Sequence, residues 1–206
     1  MPDDRSASSA PAEAPSAAPL ARPARLRADA ARNRAQVLEA AAAQLAAPDG
    51  DLAMNVLART AGVGVGTVYR HFPTRQVLLE ALAADGLEAL VAAAETAAAD
   101  ECSAGLEAVL RTGLRLQLTD AALGAVLAAQ EPACVDTRAL TERLESAVGQ
   151  VLDRARTAGD VRDDVAPDDV RRLLYGLARA VSCGPGRLAP SARYVDVLLQ
   201  GLRPHG

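Results

Sequence analysis

Aromatic side chains are almost missing from these 206 residues: tryptophan is absent, and the chain has one phenylalanine and three tyrosines. Lysine is absent too, so all 22 basic side chains are arginines. We attribute the absence of lysine to genome composition rather than to function. Because half of the residues are apolar, alanine and leucine must form most of the interior. Such a composition favours helix over sheet.

Cysteine is also scarce, and its spacing excludes two kinds of site. Cys102, Cys134 and Cys183 are scattered and include no Cys-x-x-Cys pair. A disulfide framework or a zinc site is therefore not expected, and a reduced setting fits. We expect these residues to be buried small apolar side chains rather than redox sensors.

Two further absences concern location. No apolar run is long enough to span a bilayer. The amino terminus carries Asp3 and Asp4 and lacks the apolar segment of a signal peptide. The sequence therefore predicts a cytoplasmic protein that does not enter a membrane.

Signs of catalysis are missing as well. We find no Ser/His/Asp or Cys/His arrangement, no phosphate-binding glycine loop and no acid cluster with metal spacing. The two histidines, His71 and His205, are far apart in the sequence. We therefore predict no catalytic residue, no metal and no cofactor, and do not expect an enzyme.

Charge is divided unevenly along the chain. The net charge is −4, yet residues 22–75 contain eight arginines and four acids. From residue 81 onward, thirteen arginines are outnumbered by eighteen acids. A basic first third on an acidic remainder lets one face approach phosphates.

The hydrophobic pattern predicts an all-α protein. Residues 1–24 are rich in alanine, proline and serine without helical periodicity, so we expect a disordered tail there. Glycine, proline and capping residues separate the apolar stripes that follow. The predicted helices are 28–46, 54–60, 64–71, 74–98, 103–118, 121–129, 137–158, 167–182 and 191–202.

The stretch Leu57–Arg75, LARTAGVGVGTVYRHFPTR, predicts a helix-turn-helix. Ala58 is small enough for two helices to cross closely. Gly62 allows a left-handed turn that a β-carbon would penalise. Pro73 ends the second helix, because its ring fixes φ and removes a backbone donor.

The second helix of this motif has two distinct faces. Val68 and Phe72 are four residues apart and should point inward, while Val65 and Tyr69 share another face. A short helix anchored on one side and open on the other is typical of a recognition helix that enters the DNA major groove.

These residues resemble the signature of the TetR family of transcriptional regulators. The matching elements are Ala61-Gly62-Val63, Thr67-Val68-Tyr69-Arg70-His71-Phe72, Thr74-Arg75 and Leu78-Leu79. The resemblance covers roughly Arg25 to Leu82. It implies an all-helical homodimer with a three-helix DNA-binding domain, residues 25–73, joined by a long helix to a ligand-binding and dimerisation domain, residues 74–206. It also implies repression that small molecules relieve.

The resemblance points to a set of DNA contacts. The candidates are Asn55, Val65, Gly66, Thr67, Tyr69, Arg70, His71 and Arg75. The resemblance assigns phosphate contacts to Thr67, Tyr69, His71 and Arg75, and a base-edge contact to Asn55. The Thr67 side chain could instead offer its methyl group to a thymine. His71 has an alternative role as a cap of the recognition helix. Gly66 weakens a short helix by about 1 kcal/mol relative to alanine, which makes sense if the backbone must approach the groove.

The first two helices offer fewer contacts. Arg27, Arg32 and Arg34 either touch the flanking DNA backbone or lie on a solvated face. The family usually begins its second helix with serine or threonine, where this chain has Ala53. That departure should cost about 1 kcal/mol of capping and one DNA contact.

Aliphatic residues in the second half can line a cavity between helices or simply pack. Our ligand-binding candidates are Leu110, Arg111, Leu114, Val126 and Tyr175, with Gln117, Gln130 and Arg179 as further polar contacts. We expect an unidentified apolar or amphipathic effector. In the alternative, the second domain only dimerises and the regulator is independent of ligand.

The last two long helices are the natural dimer interface. Their apolar stripes are Val170, Leu173, Leu174, Leu177 and Val181, then Val195, Leu198, Leu199 and Leu202. Packing within one protomer competes for the same side chains. A two-fold dimer would match a palindromic double-stranded operator.

Overall fold

The computed structural model describes residues 21–47, 52–100, 104–129, 131–183 and 191–204, and these ranges contain helices and no strand. The helices are α1 (Ala21–Ala46), α2 (Met54–Thr60), α3 (Val65–His71), α4 (Arg75–Ala99), α5 (Gly105–Thr119), α6 (Ala121–Ala128), α7 (Val135–Thr157), α8 (Pro167–Ser182) and α9 (Ser191–Gly201). The predicted all-α class is confirmed, and all helix ends but one lie within two residues of the prediction. None of the described helices is long and apolar enough to cross a membrane.

The start of α1 is the exception. This helix begins at Ala21, seven residues before the predicted start at Ala28, so residues 21–24 are helical and do not belong to the expected tail. Pro23 lies in the first turn, where its missing N–H has no helical partner to lose, and alanine favours helix throughout. Residues 1–20 lie outside the described residues, and the tail stays a prediction for them.

Helix α4 connects the N-terminal part, α1–α3, to the C-terminal part, α5–α9. It packs against α1 at one end and against α5, α6 and α7 along its length. The first turn of α4 is capped by Thr74, whose Oγ1 accepts a hydrogen bond from the Val77 N–H at 3.2 Å. A second connection exists, because α1 also contacts α6. The buried apolar side chains of both parts form one continuous cluster.

Gly113 lies where α5 packs closely against α8. A Cβ placed on Gly113 of α5 would lie 2.6 Å from Leu174 Cδ2 of α8. Such a contact is far inside van der Waals distance, so an alanine at this position would require the Leu174 side chain to move. Gln117 lies one turn further along the same face of α5.

Candidate DNA-binding surface

The turn between α2 and α3 forms as the sequence predicted. Gly62 has φ +66°, and a Cβ placed on it would meet nothing within 4 Å. The left-handed backbone, rather than a lack of room, therefore requires glycine here. The Val63 N–H donates to the Ala58 carbonyl at 3.0 Å, which ties the turn back to α2.

Helix α3 has an anchored face and an open face. Val68 is fully buried and Phe72 is 1 % exposed, whereas Val65 is exposed and Tyr69 is 50 % exposed. Seven residues are too few for a stable isolated helix, so these two anchors hold α3 in place. The face that carries Tyr69 remains exposed.

Arg34 has a structural role that the sequence did not indicate. Its guanidinium carbon lies 5.3 Å from the centre of the Phe72 ring, within the range of a cation–π contact. This arginine of α1 therefore covers the main anchor of α3. Its neighbour Arg32 pairs with Asp29 at 3.1 Å on the exposed surface.

Three of the predicted DNA contacts have partners within the protein. Arg70 folds back along α3, donating from Nε to the Gly66 carbonyl and from a terminal nitrogen to Thr67 Oγ1, both at 3.2 Å. Asn55 Oδ1 accepts from the Val56 N–H at 2.9 Å. All three side chains make short-range bonds at the surface, which a competing base or phosphate can replace.

No hydrogen bond or ion pair joins the side chain of Tyr69, His71 or Arg75 to any part of the chain that the structure describes. The alternative role of His71 as a helix cap is therefore not observed. Arg75 is exposed in the first turn of α4, which contains no acidic residue. A cation at the positive end of a helix is unfavourable unless an anion is also present. This end of α4 is thus suited to a phosphate.

Two backbone features of this surface match the sequence analysis. Ala53 is the N-cap of α2 and makes no side-chain capping bond. Gly66 is exposed, and a Cβ on it would meet nothing within 4 Å. No contact within the described chain therefore requires glycine at position 66, although glycine weakens the helix.

The predicted ligand-binding residues do not gather around one cavity. Leu110, Leu114 and Val126 are buried in the core. Arg111 lies at the surface, where it pairs with Glu107 at 2.7 Å and with Asp196 of α9 at 2.6 Å. Tyr175 is half-buried. A small cavity between α4, α5, α6, α7 and α8 is lined by none of these five, although Gln117, one of the further polar candidates, does line it.

The apolar stripes of α8 and α9 divide between the protomer core and the surface. The buried members are Val170, Leu174, Val181, Val195 and Leu202. Leu177, Leu198 and Leu199 are half-buried. Leu173 remains 42 % exposed, and Val197, which the sequence analysis did not single out, is 60 % exposed.

Glu80 of α4 is a buried carboxylate that the sequence analysis missed. Its two oxygens accept hydrogen bonds from the Ala133 N–H at 2.7 Å, the Cys134 N–H at 2.8 Å and the Gln76 amide at 2.8 Å. Burial raises the pKa of Glu80, but these bonds outweigh burial and leave the pKa below its ordinary value. Glu80 therefore fastens α4 to the start of α7.

The described cysteines differ from expectation. Cys183 is exposed and Cys134 is half-buried, so neither is a fully buried apolar residue. Burial, together with the neighbouring Glu80 carboxylate, raises the pKa of the Cys134 thiol to about 11. A thiol with so high a pKa forms little thiolate near neutrality. Cys102 lies outside the described residues.

Comparison with known families matches both parts of the chain. Residues 37–82 match the bacterial regulatory proteins of the tetR family. Residues 106–204 match the C-terminal domain of SbtR-like transcriptional regulators. These two segments contain the helix-turn-helix and most of the C-terminal part.

Individual relatives agree with the family matches. The HTH-type transcriptional repressor LfrR of Mycolicibacterium smegmatis is 31 % identical over 176 residues, which cover 83 % of this chain and 88 % of LfrR. A TetR regulator structure from Streptomyces coelicolor is 31 % identical, with a TM-score of 0.50 over 84 % of this chain and 99 % of that one. PfmR of Thermus thermophilus, 21 % identical, shares the fold with a TM-score of 0.55 over 82 % and 96 % of the two chains. The chain belongs to the TetR family of bacterial transcriptional regulators.

Proposed function

We propose that the chain is a repressor that binds a palindromic operator as a homodimer, with α3 of each protomer in the major groove. The observation that carries this proposal is the open face of α3 beside the start of α4, where the side chains of Tyr69, His71 and Arg75 have no hydrogen-bond or ion-pair partner within the described chain. The description of the M. smegmatis relative as a repressor supports repression over activation. The protein acts in the cytoplasm without a cofactor.

The contacts divide between phosphates and bases. Tyr69, His71 and Arg75 donate to phosphates and fix the register, together with Thr67. Val65 and Gly66 bring the α3 backbone close to base edges. Arg70 and Asn55 reach bases after exchanging their internal hydrogen bonds for bonds to DNA.

Dimerisation uses α8 and α9. Leu173 and Val197 are exposed apolar side chains on these helices, and half-buried Leu177 and Leu198 supply further apolar area. An isologous contact between two copies of this face removes such area from water.

An apolar or amphipathic effector in the C-terminal part releases the operator. Helix α4 begins at Arg75, among the DNA contacts, and continues between α5, α6 and α7. A shift of α4 therefore changes the separation of the two α3 helices. Only an effector that prefers one separation changes operator affinity.

The test is fluorescence anisotropy with inverted repeats from the DNA that flanks the gene. We expect binding by a dimer, with tight binding lost when one half-site is scrambled or when the half-sites are moved by half a helical turn. A monomer that binds every duplex equally would contradict the proposal. Titration with fractionated cell metabolites then separates an effector-controlled repressor, which is released, from the ligand-independent alternative, which is not.

A further inference from the structure

Gln117 is a buried polar side chain on α5 and is 7 % exposed. Within the residues that the structure describes, neither its amide oxygen nor its amide nitrogen has a hydrogen-bond partner. A buried amide left unsatisfied in this way is costly to the fold. Gln117 lines a cavity of about 40 Å³ between α4, α5, α6, α7 and α8.

Apolar side chains line most of the cavity. Polar side chains occur only at Gln117 and on the side of the cavity that opens towards solvent. Leucine and valine side chains form the buried wall, and no aromatic ring lines it. Thr141, Glu145 and Arg171 lie on the side that is partly exposed. Arg171 is already bonded to Asp168 and to the Leu127 carbonyl, and Thr141 donates to the Thr137 carbonyl at 2.9 Å.

We propose that this cavity is the effector site and that the effector is an uncharged aliphatic molecule with a carboxamide-like head group. The inference rests on the proposed function, which requires an effector in the C-terminal part. A head group that both donates and accepts satisfies the oxygen and the nitrogen of Gln117 together. An anionic head is disfavoured, because the basic side chain beside the cavity is already paired and a buried unpaired charge is costly.

The cavity volume supports this choice of head group. A cavity needs roughly 10–15 Å³ to hold one water molecule, so about 40 Å³ admits a group of about three heavy atoms. A carboxamide has three. The aliphatic body then extends along Leu144, Val148 and Pro167 towards the exposed side.

A larger groove does not compete with this site. It has a volume of about 420 Å³ and is lined mainly by alanines of α4 and α5, such as Ala92, Ala93 and Ala108. It lies open at the surface, and no buried unpartnered polar atom of the described chain lines it. It therefore offers little by which a particular ligand could be recognised.

Two isosteric probes test the head group. Hexanamide and 2-heptanone differ only in an NH₂ group that replaces a CH₃ group, so both accept but only hexanamide donates. Each is titrated into the ¹⁵N-labelled full-length protein, and the side-chain NH₂ signals of Gln117 are assigned by their loss in Gln117→Leu. We expect hexanamide to shift these signals and to bind about tenfold or more tightly than 2-heptanone.

The Gln117→Leu variant should bind the two probes equally, within about twofold, because no buried amide remains to discriminate between them. It should also melt about 2–4 °C higher than wild type, since an unsatisfied amide has been removed. A raised melting temperature shows that the variant is folded. The matched control Gln150→Leu, at an exposed glutamine of α7, should keep the preference for hexanamide.

Equal binding of both probes to wild type, or Gln117 signals that hexanamide leaves unmoved, would overturn the proposed head group and site. Operator binding is measured in parallel without probes. If the protein binds its operator tightly but does not discriminate between the two probes, the proposed effector site is rejected and the repressor proposal stands. If the protein prefers hexanamide but binds no operator more tightly than other DNA, the repressor proposal is rejected instead.

Discussion

Polar side chains at α3 and in the C-terminal part differ in whether they are hydrogen-bonded within the protein. In α3 and at the start of α4, the side chains of Tyr69, His71 and Arg75 make no hydrogen bond or ion pair within the described chain. In the C-terminal part, several buried or half-buried polar groups are bonded internally. Glu80 binds two backbone N–H groups of the α6–α7 connection, and Arg154 donates to the last carbonyls of α4.

The two regions also differ in how they are held. Helix α3 has seven residues and one buried side chain within it, Val68, while α5 has fifteen residues with seven buried. The short helix keeps its shape through a few anchors and exposes the rest. Among the described residues of the C-terminal part, the buried atoms without a hydrogen-bond partner are the amide oxygen and nitrogen of Gln117 and Nε of Arg156, and Arg156 is bonded through its other nitrogens.

The largest effect should come from removing the main anchor of α3. Phe72→Ala should lower the free energy of unfolding by about 3–5 kcal/mol, because a fully buried ring leaves a cavity. Urea unfolding followed by circular dichroism measures this. Tyr69→Ala, on the open face of the same helix, should change stability by less than about 0.5 kcal/mol. Equal losses in the two variants would contradict the division of α3 into two faces.

Removal of the Glu80 carboxylate should have the next largest effect. Glu80→Gln should cost about 2–3 kcal/mol at pH 7, because hydrogen bonds to a charged group are lost in a buried place. Since the folded pKa lies below the ordinary value of 4.5, the stabilisation is complete above pH 4.5 and disappears as pH falls through the folded pKa.

Urea unfolding of wild type and Glu80→Gln from pH 7 to pH 3 checks both points. The difference between their free energies of unfolding should stay constant down to about pH 5 and then become smaller. Glu88→Gln, at an exposed position of α4, serves as control and should match wild type within about 0.5 kcal/mol. A difference that widens in acid would mean that folding raises the pKa of Glu80 instead of lowering it.

A smaller effect is expected for Arg75→Ala, and it concerns DNA alone. Loss of one phosphate contact per protomer should reduce operator affinity by about 1.5 kcal/mol per protomer. The slope of log K against log salt should become shallower by about 1.8 for the dimer, at about 0.9 per phosphate. Anisotropy titrations at several salt concentrations measure both. Arg143→Ala, which removes an ion pair with Glu95 in the C-terminal part, should leave the slope unchanged.

The smallest effect should come from Gly66→Ala, with opposite signs in two assays. Stability should rise by about 1 kcal/mol, because alanine favours helix and meets open space. Operator affinity should fall, since the added methyl group stands between α3 and the groove. Gly149→Ala in α7, whose Cβ would have no neighbour nearer than 3.9 Å, should gain similar stability without losing affinity. Unchanged binding by Gly66→Ala would remove this residue from the interface.

The N-terminal part could be predicted well because its structure depends on particular residue types at fixed spacing. The left-handed turn requires Gly62, Thr74 caps α4, and the spacing of Val68 and Phe72 defines the buried face of α3. Each of these signals is local in sequence. They can therefore be interpreted from the sequence without knowledge of the tertiary structure.

The C-terminal part could be predicted only as helices. Aliphatic side chains are interchangeable in a packed core, so nothing in the sequence separated Leu110 in the core from Leu144 beside the cavity. The contact of Glu80 with Cys134 joins residues 54 apart, and Arg34 meets Phe72 only after folding. Gln117 was among the candidates, but its lack of a partner is a property of the packed structure.

In the proposed mechanism, the bond between Glu80 and the start of α7 determines which movements can reach the operator. If α4 turns about this point, Arg75 lies about 7.5 Å away on one side and Ala99 about 28 Å on the other, at 1.5 Å per residue. A displacement at the Ala99 end would therefore shrink nearly fourfold on its way to the phosphates. A displacement of α7 itself would move the pivot and would reach Arg75 almost undiminished. Movement of α7 would therefore transmit an effector signal more efficiently than movement of the Ala99 end of α4.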